Sequence, residues 1–436
     1  MMLWLAFVVI LAASLFSGRV LLVNGMREIL APLTAWHLFL LVLMYPRLFM
    51  LLWMDAKFRW LPGTTPNERA VGCLLLIALA VIATIALHSG SWVSKQRKAV
   101  SVKAIRYSAA LSLVPWLLGL AGLSAYIVLL GGISTVASSL SESKSVRGGG
   151  VILMLSSLTW IAAPMVIAGR ARVESLNRTW FAWILFGTTC AVTAVYGRAT
   201  PIVWGALLFV ATSYFGQQKI DFRKALPLLV LAILTFVSFK AFRLAGSWER
   251  DVGTLFGYAG LYTEFLISDG GEQAITDMSV RLLLWGDAEF PLGSFWYRWI
   301  AWPVELTPRS LFPFDITPVT IGREMYWWAT RNVDVDAGAP IFGFVSAYKT
   351  AGIGLVIAVY FLFGLVTERL HQRASSGRLA SVVGYVMSLC LLLFFSRLGD
   401  FSASVVQVIV LGAAPLLFLL FVDSQEYIER AGTRSP

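Results

Sequence analysis

The chain has 436 residues, of which 58% are hydrophobic and 14% charged, with a mean hydropathy of +0.76, far from the balance of soluble domains. This is the composition of a polytopic membrane protein, and the net charge of +11 fits basic loops facing anionic lipid rather than a nucleic-acid partner. Cys73, Cys190 and Cys390 each lie inside an apolar run, which implies no disulfide framework, and His37, His88 and His371 are scattered along the sequence, so no histidine metal cluster is expected.

In chain order, the first apolar run covers about residues 3–16, with Arg19 and Arg27 just beyond it and no cationic segment before it. It reads as a retained helix and not as a cleaved signal peptide. The second run, 32–54, contains Pro46 and Arg47: the proline should kink the helix, and the arginine must snorkel or face the bundle interior. Further runs cover 70–88, 107–130, 151–168, 180–196, 201–215, 225–239, 341–366, 379–395 and 402–422. About eleven spans result, most of them close to the ~20 residues that cross ~30 Å of hydrocarbon. The expectation is an all-α polytopic integral membrane protein. Helices fill residues 1–239, one large loop 240–340, three further helices 341–422, and a tail 423–436.

Lys and Arg concentrate near residues 95–106, 170–178, 219–224 and 369–378. The positive-inside rule puts these linkers and the tail in the cytoplasm, and the short N-terminus and the large loop outside. Under this topology the Asn177-Arg-Thr179 sequon is internal and reads as chance. Gly148-Gly-Gly150 lacks the Lys-Ser/Thr of a phosphate loop and reads as a flexible linker.

The large loop carries the chemistry. It holds Arg243, Arg250, Arg281, Arg298, Arg309, Arg323 and Arg331, with acids that include Glu264, Glu305, Glu324, Asp334 and Asp336. An enzyme outside the membrane has no ATP, so its substrate must carry its own activation, as a lipid-linked diphosphate does. Arginine keeps its charge, grips phosphate oxygens in pairs and stabilises a departing diphosphate. Trp285, Trp296, Tyr297, Trp299, Trp302, Tyr326, Trp327 and Trp328 suit stacking on sugar faces, and equally suit a membrane-surface belt. Every arginine likewise has a structural reading, as a salt bridge to one of these acids or a headgroup anchor. Arg397 has Asp400 within reach in sequence.

Several short segments occur in a telling order: Tyr196-Gly-Arg198; Phe239-Lys-Ala-Phe-Arg243-Leu-Ala-Gly246; Pro291-Leu-Gly293; Pro308-Arg309-Ser-Leu-Phe-Pro313; Gly338-Ala-Pro-Ile-Phe-Gly343, then Tyr348 and Gly352-Ile-Gly354. Over residues 196–370 this order resembles the oligosaccharide repeat-unit polymerases, the Wzy-type O-antigen polymerase group. That family often has Asn shortly after the tyrosine, where this chain has Lys349.

The resemblance implies a multi-pass protein of the bacterial inner membrane with a large periplasmic loop and a GT-C-like architecture. It implies a glycosyltransferase without metal or other cofactor that passes a growing glycan from undecaprenyl diphosphate to the next lipid-linked repeat unit, with a chain-length regulator as a further partner. Arg198, Arg243, Arg309, Arg323 and Arg331, with Tyr348, are the expected substrate-binding residues. The base for the acceptor hydroxyl would be a carboxylate, with Glu324, Glu264 and Asp336 the candidates. Two other readings stand beside it: an O-antigen ligase, disfavoured because the loop has no histidine, and a transporter or flippase of lipid-linked sugar. The latter would be expected to show internal repeats and broken helices at the midplane, and the sequence displays neither a repeat nor a matching pair of interrupted segments.

Overall fold

The computed structural model describes residues 2–24, 28, 30–53, 61–95, 107, 109–129, 132, 154–168, 176–194, 199–216, 272–306, 319–331 and 339–432. Within them all regular structure is helical. Among the described residues, seven helices are long and apolar enough to cross a membrane: α1 (Met2–Asn24), the composite α2 (Pro32–Phe39) and α3 (Tyr45–Trp53), α4 (Pro66–Lys95), α5 (Ala109–Leu129), and the three C-terminal helices described below. Shorter apolar helices occupy three more of the expected runs: α6 (Thr159–Ala168), α7 (Leu176–Ala194) and α8 (Ala199–Phe215). The run at 225–239 lies outside the described residues. The protein is therefore a multi-pass membrane protein by the length and apolarity of its helices.

Local chemistry sets the ends of these helices. A reciprocal capping box starts α4: Thr65 Oγ1 accepts from Glu68 N at 3.2 Å, and Glu68 Oε2 accepts from Thr65 N at 2.7 Å. Between α2 and α3 the chain widens into a π-helical turn, Leu40–Met44, immediately before Pro46. The ring of Pro46 cannot donate back into the preceding turn, and the widened turn absorbs that loss. Arg47 resolves to the bundle interior, 1% exposed.

The large-loop segments form α9 (Glu272–Trp285), two single turns α10 (Tyr297–Ile300) and α11 (Trp302–Leu306), and α12 (Ile321–Thr330). They precede α13 (Gly343–Ala374), α14 (Leu379–Leu398) and α15 (Phe401–Gly432). The most extensive contact in the molecule is α4 against α13. Glycines make it close: a Cβ at Gly90 would sit 2.0 Å from Phe361 O, and one at Gly364 would sit 2.1 Å from Leu87 O.

Pairings along the helices define two faces. Phe7 near the start of α1 meets Phe49 and Trp53 at the end of α3, and Gly72 early in α4 meets Val280 and Leu284 of α9. The N-terminus, the start of α4 and α9 to α12 thus share one face, here the loop face. At the other end Asp423 of α15 accepts hydrogen bonds from Tyr107 and Arg378, at 2.7 and 2.6 Å. Phe215 there packs on His371 and Tyr385.

The helix α13 is broken near the loop face. Ala351 (φ −151°, ψ 30°) and Gly352 (φ 72°, ψ −164°) are non-helical, separating Gly343–Thr350 from the longer half. Only glycine takes the Gly352 conformation without strain. One carbonyl near the break, that of Lys349, accepts from Gly293 N at 2.8 Å. The π-helical turn falls at the interruption expected from Pro46, whereas the break in α13 is an interruption the sequence did not lead one to expect.

Candidate functional site

Two buried ion networks tie the loop segments to the membrane helices. Arg47 of α3 holds Asp277 of α9 through Nε–Oδ1 at 2.9 Å and Nη2–Oδ2 at 2.6 Å, both residues at most 1% exposed. Arg298 of α10 holds Asp400 at the start of α15 through Nε–Oδ2 and Nη2–Oδ1, each 2.9 Å. Its Nη1 lies 2.7 Å from Glu305 Oε1. The Asp400 oxygens also accept from the backbone N–H groups of Ile321 and Ala403, at 3.1 and 3.0 Å. One carboxylate thus fixes α10, α12 and α15 together. Burial lowers the Arg298 pKa, but Asp400 and Glu305 more than offset it, so the guanidinium remains charged.

On this base lies α12, carrying Arg323, Glu324, Tyr326, Trp327 and Trp328. Thr320 caps it, with Oγ1 3.4 Å from Arg323 N. Tyr297 donates to Glu324 Oε1 at 2.5 Å. Burial pushes the Glu324 carboxyl above the usual carboxylate range; the Tyr297 hydrogen bond and Arg298 oppose that rise, and Asp400 adds to it. The Tyr297 phenol is itself pushed well up, first by burial and then by Glu324. The result is a half-buried carboxylate of raised basicity, hydrogen-bonded to a phenol that keeps its proton.

Cations line the same helix. The Arg323 guanidinium lies 4.8 Å over the Trp327 ring, and Arg281 of α9 lies 4.9 Å over Trp328. Arg331 ends α12 in a left-handed conformation, φ 58°, the single described residue other than glycine with positive φ. Its Nη2 pairs with Glu289 Oε1 at 2.6 Å, on the surface. Arg281 is close enough to feel Arg331: burial first, and then that neighbouring charge, lower its pKa.

Of the expected site residues, Glu324, Arg323 and Arg331 come together on α12. Tyr348 is on a different element, part-buried in the short first half of α13, next to the buried Lys349, whose Nζ pairs with Asp287. Arg198, Arg243, Arg309, Glu264, Asp334 and Asp336 lie outside the described residues. Glu305 is committed to Arg298.

The aromatic set divides. Trp299 is taken up by packing, stacked on Phe401 at 4.8 Å and donating to Thr350 Oγ1 at 3.1 Å, while Trp285 and Trp296 remain exposed. Asp400 is bridged by Arg298, a partner the sequence reading did not single out. Two of the three histidines meet in space: His37 Nε2 and His88 Nε2 are 3.1 Å apart, with Ser17 Oγ on His37 Nδ1 at 3.0 Å, while His371 packs on Phe215 and Tyr385. Among the described residues there is no group of three or more potential metal-ligating side chains. The sequence signals available in retrospect were Arg298 set between Tyr297 and Trp299, and Asp400 directly after Gly399 at a helix start.

Comparison with protein-family models, with curated proteins and with solved structures finds no match to this chain.

Proposed function

We propose that this protein is a membrane-embedded glycosyltransferase acting on lipid-diphosphate-linked oligosaccharides, in the manner of a repeat-unit polymerase. The observation that carries the reading is the Glu324–Tyr297 pair on a helix flanked by Arg323 and Arg331. A carboxylate with raised basicity is suited to take a proton from an acceptor sugar hydroxyl. The guanidiniums of Arg323, next to Glu324 in sequence, and of Arg331, about two helical turns on, are suited to hold a diphosphate as it leaves. The exposed Trp285 and Trp296 offer sugar-stacking faces beside them.

In this reading the new glycosidic bond forms between the acceptor oxygen and the anomeric carbon of the donor glycan. The bond from that carbon to the diphosphate oxygen breaks, the hydroxyl proton goes to Glu324, and the diphosphate leaves with its negative charge against the arginines. The buried Arg298–Asp400 link does not touch substrate; it fixes the position of α12.

The transporter reading keeps one observation in its favour, the broken helix α13 beside the loop face. A single experiment separates the two. Membranes containing the protein are supplied with synthetic lipid-diphosphate repeat units on the loop face only. Formation of longer glycan, lost in Glu324→Gln, supports transfer chemistry. Movement of unaltered substrate across the bilayer with no lengthening overturns it.

A further inference from the structure

On the face opposite the loop, a cavity of about 380 Å³ opens between α1, the start of α2, the end of α4 and α13. Four charged side chains line it, two of each sign: Arg19 and Lys95, Glu28 and Glu368. Neither Arg19 nor Lys95 has an ion-pair partner among the described residues, and both are exposed. Glu28 is exposed too; Glu368 is buried and accepts from Ser91 Oγ at 2.9 Å. One wall is apolar, made by Phe16, Val20 and Val23 of α1, and Phe16 and Val23 present 54% and 75% of their surface to the surroundings. His88 closes the floor, its Nε2 engaged by His37.

Lys95 lies in the last turn of a membrane-crossing helix, which sets the cavity at headgroup depth. A purely anionic ligand would be drawn to two cations and repelled by two carboxylates. A ligand with a phosphate and a hydrogen-bonding ammonium a few bonds apart satisfies all four. Phe16, one turn before Arg19 on α1, lies on the membrane side of that arginine, where a chain attached to that phosphate would lie. We infer that this cavity is a binding site for an amine-bearing zwitterionic phospholipid, phosphatidylethanolamine in chemical class. Its phosphate sits on Arg19 and Lys95, its ammonium on Glu28 and Glu368, and its acyl chains leave past Phe16 into the membrane. This site is independent of the glycosyltransferase reading, because it uses none of the loop-face residues.

The test uses the full-length protein, delipidated in detergent and then given defined lipids. Thermal unfolding and native mass spectrometry are the readouts. Phosphatidylethanolamine is expected to raise Tm by about 3 °C or more and to appear as a retained adduct. Phosphatidylglycerol, without the ammonium, and phosphatidylcholine, whose methylated amine cannot donate, are expected to do less. The Arg19→Ala/Lys95→Ala double variant should unfold at the wild-type lipid-free temperature but lose the lipid increment. Glu28→Gln should bring the ethanolamine and choline lipids level. Equal or stronger stabilisation by phosphatidylglycerol overturns the proposal, as does a full increment in the double variant. Stabilisation by free glycerophosphoethanolamine equal to that by the lipid also overturns it, by making the ligand a soluble headgroup.

Discussion

Arg298 and Asp400, 102 residues apart in sequence, meet through two parallel 2.9 Å hydrogen bonds, with the arginine fully buried. Because Asp400 also receives the Ile321 N–H, the pair is the joint through which a membrane helix positions the helix bearing Glu324. Removing one partner leaves the other charge buried and unmatched, a loss of about 3–5 kcal/mol. Asp400→Asn and Arg298→Ala are both expected to lower Tm sharply in detergent. The double variant Arg298→Met/Asp400→Leu should recover only part of that stability: it removes both buried charges, but leaves Glu305 and the Ile321 and Ala403 N–H groups without their partners. Measured Tm values of the three proteins decide it.

The Glu324–Tyr297 pair predicts a pH dependence with a defined sign. As a base Glu324 acts when deprotonated, and burial raises its pKa, so the rate should fall on acidification through a pH above the usual carboxylate range. Tyr297 opposes that rise through its hydrogen bond to Glu324. Tyr297→Phe should therefore move the acid limb of the rate profile to higher pH, and Glu324→Gln should abolish the limb together with the activity. A limb that stays in place in Tyr297→Phe would separate Glu324 from the titration.

The same raised pKa has a consequence for stability. A carboxyl that binds its proton more tightly when folded contributes stability below its unfolded pKa and loses it as pH rises through the folded value. Glu324→Gln should thus flatten the decline of Tm across that interval, as read by unfolding at a series of pH values.

Arg331 allows structure and function to be separated at one position. Its left-handed backbone ends α12, a place where glycine is favoured, and its side chain pairs only at the surface. Arg331→Gly is expected to leave Tm unchanged or slightly raised while weakening binding of a lipid diphosphate. Calorimetric titration of the variant against such a lipid is the check; unchanged affinity would remove Arg331 from the diphosphate site.

At the α4–α13 crossing the backbones approach too closely for any side chain at Gly364, where a Cβ would lie 2.1 Å from Leu87 O. Gly364→Leu should force the helices apart at a cost of roughly 1–3 kcal/mol or more, with Gly384→Ala, which meets open space, as the neutral control. Thermal unfolding of the two variants side by side tests it.

Much of the fold could be read along the chain because membrane helices announce themselves by local apolarity. The runs at 32–54, 379–395 and 402–422 match Pro32–Trp53, Leu379–Leu398 and Phe401–Ser424 closely. The gathering of Glu324, Arg323 and Arg331 was also legible, since the nine residues from Arg323 to Arg331, one helix and its C-cap, contain all three. What the sequence could not display was where the charges of the chain find one another. The pairs Arg47–Asp277, Arg298–Asp400 and His37–His88 are separated by 230, 102 and 51 residues. No local pattern encodes which partner a buried charge will take. The break at Gly352 had a local signal in Gly352-Ile-Gly354, but glycine also occurs in unbroken membrane helices, so the pair alone does not announce the positive φ at Gly352.

By itself, then, the sequence determined a multi-pass helical protein with its arginines and acids concentrated in one long segment, because hydropathy and charge are properties of composition. The tertiary structure alone decided which of those charges are consumed as buried joints and which remain for chemistry. A charge buried in a low-dielectric interior must be matched in three dimensions, and that matching depends on which helices pack together. It took Arg298 and Glu305 out of the set of available groups and left Glu324, with its proton affinity raised by burial, beside Arg323.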